Sequence, residues 1–244
     1  MEPVEAAAAT APAVSSIASN FMLDPATYAA GAEAGFAGLD FYVGGRAGVL
    51  GRVDADVVSA AFAFFEPGNV RTLWEQALGV MEPAEASARF IACGHAWAGA
   101  HLGDDVDWAR TAELLGTVAA AANPAVAPLF AAWRASPEPD AGDAKALALH
   151  RLNLLRELRN AVHAAAVVTN GLLPIEALLC KSPHMVAIFG WVGEVPEVGE
   201  THQALHAKAE DATNVALVPA FGALTGSERA ELASLSEAAL AAVR

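Results

Sequence analysis

Hydrophobic residues recur along the chain at the three- and four-residue spacing of an α-helix, and this pattern predicts about ten helices. The longest predicted helix runs from Ala144 to about Thr169, where Asn170-Gly171 provides a C-terminal cap. Another pattern runs from Asp24-Pro25, an N-cap acceptor followed by proline, to about Arg46. Runs of β-branched residues that would form strands are scarce. We therefore predict an all-α fold, a multi-helix bundle or array with no strand.

Proline, glycine and charge divide the helical patterns. Residues 1–22 are rich in alanine and carry acidic residues where a signal peptide would carry basic ones, so they predict a flexible leader. The clearest linker is SPEPDAGD, residues 136–143. It separates an N-terminal helical half, 23–136, from a C-terminal half, 143–244, and we expect the two halves to pack as one compact domain. No apolar stretch free of glycine, proline and charge is long enough to span a membrane.

The charge and the cysteine content of the chain limit its expected partners and cellular compartment. The 28 acidic residues outnumber the 14 basic ones and give a formal net charge of −14. An acidic surface repels phosphate backbones, which disfavours nucleic acid as a partner. Cys93 and Cys180 form no CxxC pair, and two free thiols are typical of a reducing compartment, so we expect a cytoplasmic protein. We also expect a homodimer, since helical bundles with apolar terminal helices commonly pair.

The long predicted helix carries a polar stripe beside its apolar face. Arg156, Arg159 and His163 lie at positions i, i+3 and i+7. Two interpretations stay open. The arginines either pair with carboxylates such as Glu66 or Glu210 and tie helices together, or they line a pocket for an anionic or carbonyl-bearing ligand. In the second case His163 would act as an acid, a base or a hydrogen-bond donor.

Glu66 precedes Pro67 at a helix junction. Its carboxylate either stabilises the dipole of the following helix or faces His163 and forms a proton-transfer pair with it.

His202 and His206 have the spacing of metal ligands on a helix, and Glu210 continues the same face. Position 203 is glutamine, so the HExxH motif of metalloproteases is missing. Two histidines on an acidic helix are more often solvated, and we assign no metal ligand. No glycine-rich nucleotide motif is present either, so the cofactor stays unknown.

Four segments of the chain carry motifs that occur together in one family. Residues 40–51, DFYVGGRAGVLG, match a motif at the end of an early helix. Phe65-Glu66-Pro67 stands where that family has F-H-P, so glutamate replaces the family's histidine. Residues 150–163 carry H-x-x-x-L-L-R-E-x-R-x-x-x-H, and residues 210–214, EDATN, are similar to E-x-x-T-D. Together these segments resemble an actinobacterial helical family that is described as helix-turn-helix.

The chain departs from this family in one place. The resemblance implies a winged-helix segment between the short helices and the final ones. The corresponding stretch here, Phe189 to Glu200, is short, glycine-rich and acidic. We therefore predict that the winged helix has been lost, and with it the means of reading a DNA groove. Any remaining activity should reside in the helical body.

The leading hypothesis is a small-molecule-binding helical protein with a pocket between the early helices and helix 144–169, and this hypothesis includes an enzyme of specialised metabolism. His163 and Glu66 are the catalytic candidates. The ligand-binding candidates are Tyr42, Arg46, Phe62, Phe65, Arg156, Arg159 and Glu210. The alternative is an effector-binding transcriptional regulator, or a derivative of one without its DNA-binding winged helix. Whether the protein catalyses a reaction stays open.

Overall fold

The computed structural model describes residues 1–244 and consists of helices joined by loops and turns. The helices in chain order are α1 (Pro3–Met22), α2 (Pro25–Glu33), α3 (Leu39–Ala47), α4 (Ala55–Phe62), α5 (Pro67–Val80), α6 (Pro83–His101), α7 (Trp108–Ala121), α8 (Pro128–Arg134), α9 (Ala144–Thr169), α10 (Pro174–Lys181), α11 (Glu200–Ala216), α12 (Val218–Phe221) and α13 (Gly226–Ala241). There is no β-sheet, and the all-α prediction is confirmed.

Helix α9 is the central element. The Asp143 side chain caps it by accepting a hydrogen bond of 3.1 Å from the Ala146 amide. It packs against α1, α6, α7, α8 and α11. One hydrophobic core of 48 buried residues extends from Ala6 to Ala239, so both halves of the chain contribute to the same interior. The loop at residues 136–143 runs over the surface of this core.

Residues 3–22 form α1, which corrects the flexible leader expected at residues 1–22. One face of the helix is buried, and Ile17 on that face is fully inaccessible to solvent. Small side chains such as Ala6 and Ala13 let α1 approach α9 and α13 closely. Composition suggested a leader because alanine is only weakly hydrophobic, but its helix propensity and small volume suit a closely packed helix.

The helix predicted from residue 24 to 46 is broken into α2 and α3. Gly35 and Gly38 lie in the break with φ angles of 99° and 153°, where residues with a side chain are strained. Gly31 has a different role, because a Cβ atom there would lie 2.6 Å from the Phe41 ring. The glycine spacing therefore combines one close contact with a break between two helices, and α3 packs against α5 and α6.

The segment after α10 contains no β-wing. Pro183–Met185 form a single 3₁₀ turn, and residues 191–199 contain neither helix nor strand. Outside the helices, the chain forms only one isolated β-bridge, between Leu102 and Val243. The prediction that residues 189–200 hold no winged helix is confirmed.

One helical stretch, Pro3–Glu33, is long and apolar enough by composition to cross a membrane. About half of its most apolar window is buried inside the protein. The stretch is interrupted at Leu23-Asp24, between α1 and α2. A helix that packs inside a protein core passes the same test of length and composition.

Candidate functional site

A buried ion pair connects α3 to α9. Arg46 donates hydrogen bonds of 2.8 and 2.7 Å from Nε and Nη2 to the two carboxylate oxygens of Glu157. Arg156 donates a third, of 2.8 Å, to the same carboxylate. Arg46 and Glu157 are each about 1% exposed. Arg46 also lies 4.4 Å from the centroid of the Phe62 ring, a cation–π contact.

Each charged group in this pair stabilises the ionised form of its partner. Burial acts to raise the pKa of Glu157, but the adjacent Arg46 and Arg156 outweigh it and lower that pKa. Burial likewise acts to lower the pKa of Arg46, but Glu157 outweighs this effect and raises that pKa. Both groups therefore remain ionised in the interior. Because two arginines share one carboxylate, the group carries an excess positive charge.

A cleft of about 260 Å³ opens beside Arg156, between α1, α9, α10 and α11. It is lined by Ser15, Ser19, Phe64, Arg156, Arg159, Asn160, His163, Ala177, Leu178, Lys181, Ser182, Met185, Phe189 and Glu210. The helical stripe of Arg156, Arg159 and His163 thus faces one cavity, between α9 and its neighbours.

The polar side of the cleft is a network centred on Glu210. Arg159 donates hydrogen bonds of 2.8 Å to Glu210 and to Asn214. The Lys181 ammonium lies 2.5 Å from the other carboxylate oxygen of Glu210. Burial acts to raise the pKa of Glu210, but the hydrogen bond and charge of Lys181, with His163 and Arg159, lower it to about 2. Glu210 is therefore ionised at neutral pH.

His163 lies beside this network. Its Nδ1 atom is 3.0 Å from the hydroxyl of Thr213, and its Nε2 atom is 3.8 Å from a Glu210 oxygen. Burial is the main cause that lowers the pKa of His163 to about 4, with Lys181 and other neighbouring cations adding to it and Glu210 opposing it. The imidazole is therefore neutral at physiological pH.

Aromatic and sulfur-containing side chains also line the cleft. The Phe64 ring lies 5.7 Å from the His163 ring. The Phe189 ring stacks on Phe65 with centroids 4.0 Å apart, and Met185 lines the cleft beside it. The cleft thus combines an apolar wall with a cationic end, the arrangement of a site for a ligand with an apolar body and an anionic group.

The early-helix candidates lie behind this cleft or away from it. Tyr42 and Phe65 line a smaller adjoining cavity of about 60 Å³ that also touches Arg156. Phe62 is 1% exposed and belongs to the core, and Arg46 is sequestered by its ion pair. The structure therefore brings four predicted residues to the cleft itself, which are Arg156, Arg159, His163 and Glu210.

Glu66 lies apart from His163. Its carboxylate accepts hydrogen bonds of 3.0 and 2.5 Å from the amides of Gly68 and Asn69, and so caps α5. It does not line the cleft. The alternative in which Glu66 stabilises a helix N-terminus matches this geometry, and the structure forms no Glu66–His163 pair.

Sequence reasoning missed several cleft residues. Ser15 and Ser19 come from α1, and Lys181 and Phe189 come from the α10 region. The spacing of Ser15 and Ser19 at i and i+4 along an alanine-rich stretch was the available signal. No sequence pattern pointed to Lys181, because its place in the cleft depends on how α10 packs against α11.

Comparison with known proteins identifies the family. No curated protein and no solved structure matches the chain. A family model described as a helix-turn-helix family matches residues 7–188, about three quarters of the 244 residues. This match extends from α1 past α10 and includes most of the cleft. The protein therefore belongs to this helix-turn-helix family.

Proposed function

We propose that the protein binds a small organic anion in the cleft between α1, α9, α10 and α11. The observation that carries the proposal is the local charge. Three cationic side chains, Arg156, Arg159 and Lys181, line the cleft, and Glu210 is the one carboxylate among its lining residues. Glu157, behind the lining, pairs with Arg156 but is shared with Arg46. A chain with a net charge of −14 thus places an excess of positive charge around this cavity.

The free donor for such an anion lies on Arg156. Its Nε atom donates to Ser19 and its Nη1 atom to Glu157, which leaves Nη2 without a hydrogen bond. A guanidinium held in place on two sides is well suited to bind a carboxylate or phosphate. The cleft of about 260 Å³ is at the small end for ligand pockets, and Phe64 and Phe189 favour a compact apolar or aromatic body.

Native mass spectrometry of the freshly purified protein tests this proposal most directly, because a co-purified anion appears as an added mass. A titration with the fluorescent anion 8-anilinonaphthalene-1-sulfonate, in the presence of EDTA, measures occupancy of the cleft. We expect Arg156→Met to weaken that binding by about tenfold to a hundredfold, since one charge-assisted contact contributes about 1.5–3 kcal/mol.

Arg151→Met is the matched control. Arg151 lies on the same helix and pairs with Glu138 outside the cleft, so the change in net charge is identical. We expect its affinity for the dye to stay within about twofold of the wild type, because long-range charge effects are screened by salt. Equal affinities for the wild type and Arg156→Met, with no co-purified mass, would rule out the anion site.

The family match supports a second candidate, an effector-binding regulator or a derivative of one. The matched region contains the cleft, so an anion bound there would act as the effector. The charge of the chain favours a derivative that no longer binds DNA over a regulator that reads operator sequences. In this function the cleft binds without turnover, in keeping with a His163 that has no Glu66 partner.

A further inference from the structure

Three side chains converge beside the cleft, and two of them, His163 and Glu210, line it. His163 comes from α9, and His206 and Glu210 lie one turn apart on α11. One nitrogen or oxygen atom from each lies within 4.8 Å of the others. The rings of His163 and His206 meet edge to face with centroids 5.6 Å apart.

The hydrogen bonds of Thr213 determine the orientation of His163. The Thr213 hydroxyl donates a hydrogen bond of 2.7 Å to the Ala209 carbonyl, so it has no proton left for His163. It therefore accepts from the Nδ1–H of His163, at 3.0 Å. The lone pair of His163 is then on Nε2, the atom that faces Glu210 at 3.8 Å.

His206 presents an unsatisfied nitrogen. Its Nε2 atom is buried and has no hydrogen-bond partner. A buried polar atom without a partner costs about 1–3 kcal/mol, and most such atoms in proteins have one. The side chains next to His206 are the imidazole of His163 and the carboxylate of Glu210, and both groups can themselves bind a cation.

We propose that His163, His206 and Glu210 bind a divalent transition-metal ion such as Zn²⁺. Two imidazoles and one carboxylate are a known ligand set for zinc. Ligand atoms around a tetrahedral zinc ion lie about 3.4 Å apart. Here His163 and Glu210 are 3.8 Å apart and all three ligand atoms lie within 4.8 Å of one another, so zinc binding requires the three side chains to move closer together. The proposal goes beyond anion binding and stands without it.

The surroundings of His163 suit metal binding. The hydrogen bond from His163 to Thr213 is the kind of support that orients histidine ligands in metal sites.

Lys181 competes for the same carboxylate oxygen. Its ammonium bonds Oε1 of Glu210, while Arg159 bonds Oε2. The Lys181 side chain is 54% exposed and free to swing into solvent. A metal ion would therefore replace Lys181 on Glu210 and leave the Arg159 contact in place. The remaining coordination position would face the cleft, since His163 and Glu210 line it.

Isothermal titration of the EDTA-treated, desalted full-length protein with ZnSO₄ tests the site, and titration with CoCl₂ reports its geometry through visible absorption. We expect one ion per chain. His206→Leu should weaken zinc binding by about tenfold or more, because it removes one of three ligands. His163→Gln should have a similar effect. Lys181→Met should bind zinc several-fold more tightly than the wild type, since the competing ammonium is gone.

His202→Ala is the matched control. His202 lies one turn before His206 on α11 but faces Glu176, at 3.8 Å. We expect its zinc affinity to stay within about twofold of the wild type, since it lies outside the ligand set. His206→Leu should keep the thermal stability of the metal-free protein, because the Nε2 atom that it removes has no partner. The His206→Leu variant therefore tests the metal site even if His163→Gln fails to fold.

Three results would overturn the metal site. These are no saturable zinc binding by the wild type, binding unchanged by His206→Leu, or a loss in His202→Ala as large as that in His206→Leu. The dye titration in EDTA is independent of them, so failure of the metal site and failure of the anion site are distinguishable.

Discussion

At the residue scale, the buried pair of Arg46 and Glu157 shows how a charge is kept inside the core. The carboxylate is fully buried and accepts hydrogen bonds from two arginines. Removing water from such groups costs several kcal/mol, which the contacts must offset. The pair also aligns α3 on α9, because a bidentate arginine contact tolerates only a narrow range of positions.

Glu157→Gln should strongly destabilise the protein. The amide leaves Arg46 buried without a counter-charge, and breaking a buried pair in this way costs about 3–5 kcal/mol. Urea unfolding followed by circular dichroism measures the loss. The double variant Arg46→Met with Glu157→Leu removes both charges and should recover most of the stability. A double variant no more stable than Glu157→Gln would contradict this account.

His150 predicts a dependence of stability on pH. It is 3% exposed, and burial, with His95 and Arg151, lowers its pKa from 6.5 to about 4, although Glu138 opposes the shift. Between these values the unfolded chain takes up a proton that the folded chain does not. Stability therefore falls as the pH drops from 6.5 to 4, by up to about 3 kcal/mol from this group.

The comparison variant for this prediction is His150→Leu. Urea unfolding of both proteins at several pH values isolates the contribution of His150, because His163 and the other groups titrate in each. We expect the stability of the wild type relative to the variant to decrease toward pH 4. A difference that stays constant with pH would show that His150 does not titrate as the structure implies.

At the element scale, α1 is both a structural helix and a wall of the cleft. It packs against α9, α11 and α13, and it supplies Ser15 and Ser19 to the site. Ser19 accepts a hydrogen bond of 3.1 Å from Arg156 and so helps to hold the proposed anion-binding guanidinium in place.

Ile17→Ala should destabilise the protein by about 2–5 kcal/mol, since a fully buried side chain is replaced by a cavity. Ala9→Gln, on the exposed face of the same helix, should change the unfolding free energy by less than about 0.5 kcal/mol. Urea unfolding compares the two variants. Equal stabilities would mean that α1 is detached from the core, as a leader would be.

At the scale of the whole molecule, the charge of the protein bears on DNA binding. The net charge is −14, and residues 189–200 contain no recognition helix or wing. We expect DNA binding to be absent or weak at about 0.15 M salt, because few cations are available to release counterions. A gel-shift assay with genomic fragments measures it. Sequence-specific binding at nanomolar concentrations would contradict this and favour the intact regulator.

The sequence by itself predicted much of the helical architecture. Helical periodicity placed α9 from Ala144 to about Thr169, and Asn170-Gly171 marked its C-terminal end. The polar stripe on α9 identified Arg156, Arg159 and His163 as neighbours on one face. These features follow from helical periodicity and capping, which depend on residues a few positions apart.

Only the tertiary structure decided which residues face one another across the molecule. It joined Arg46 to Glu157, brought Lys181 to Glu210, and placed His206 rather than His202 beside His163. It also packed the alanine-rich residues 3–22 as α1, which forms one wall of the cleft. Such pairings depend on how helices cross and which side chains fill the space between them. Those are properties of the packed core that spacing along the chain does not encode.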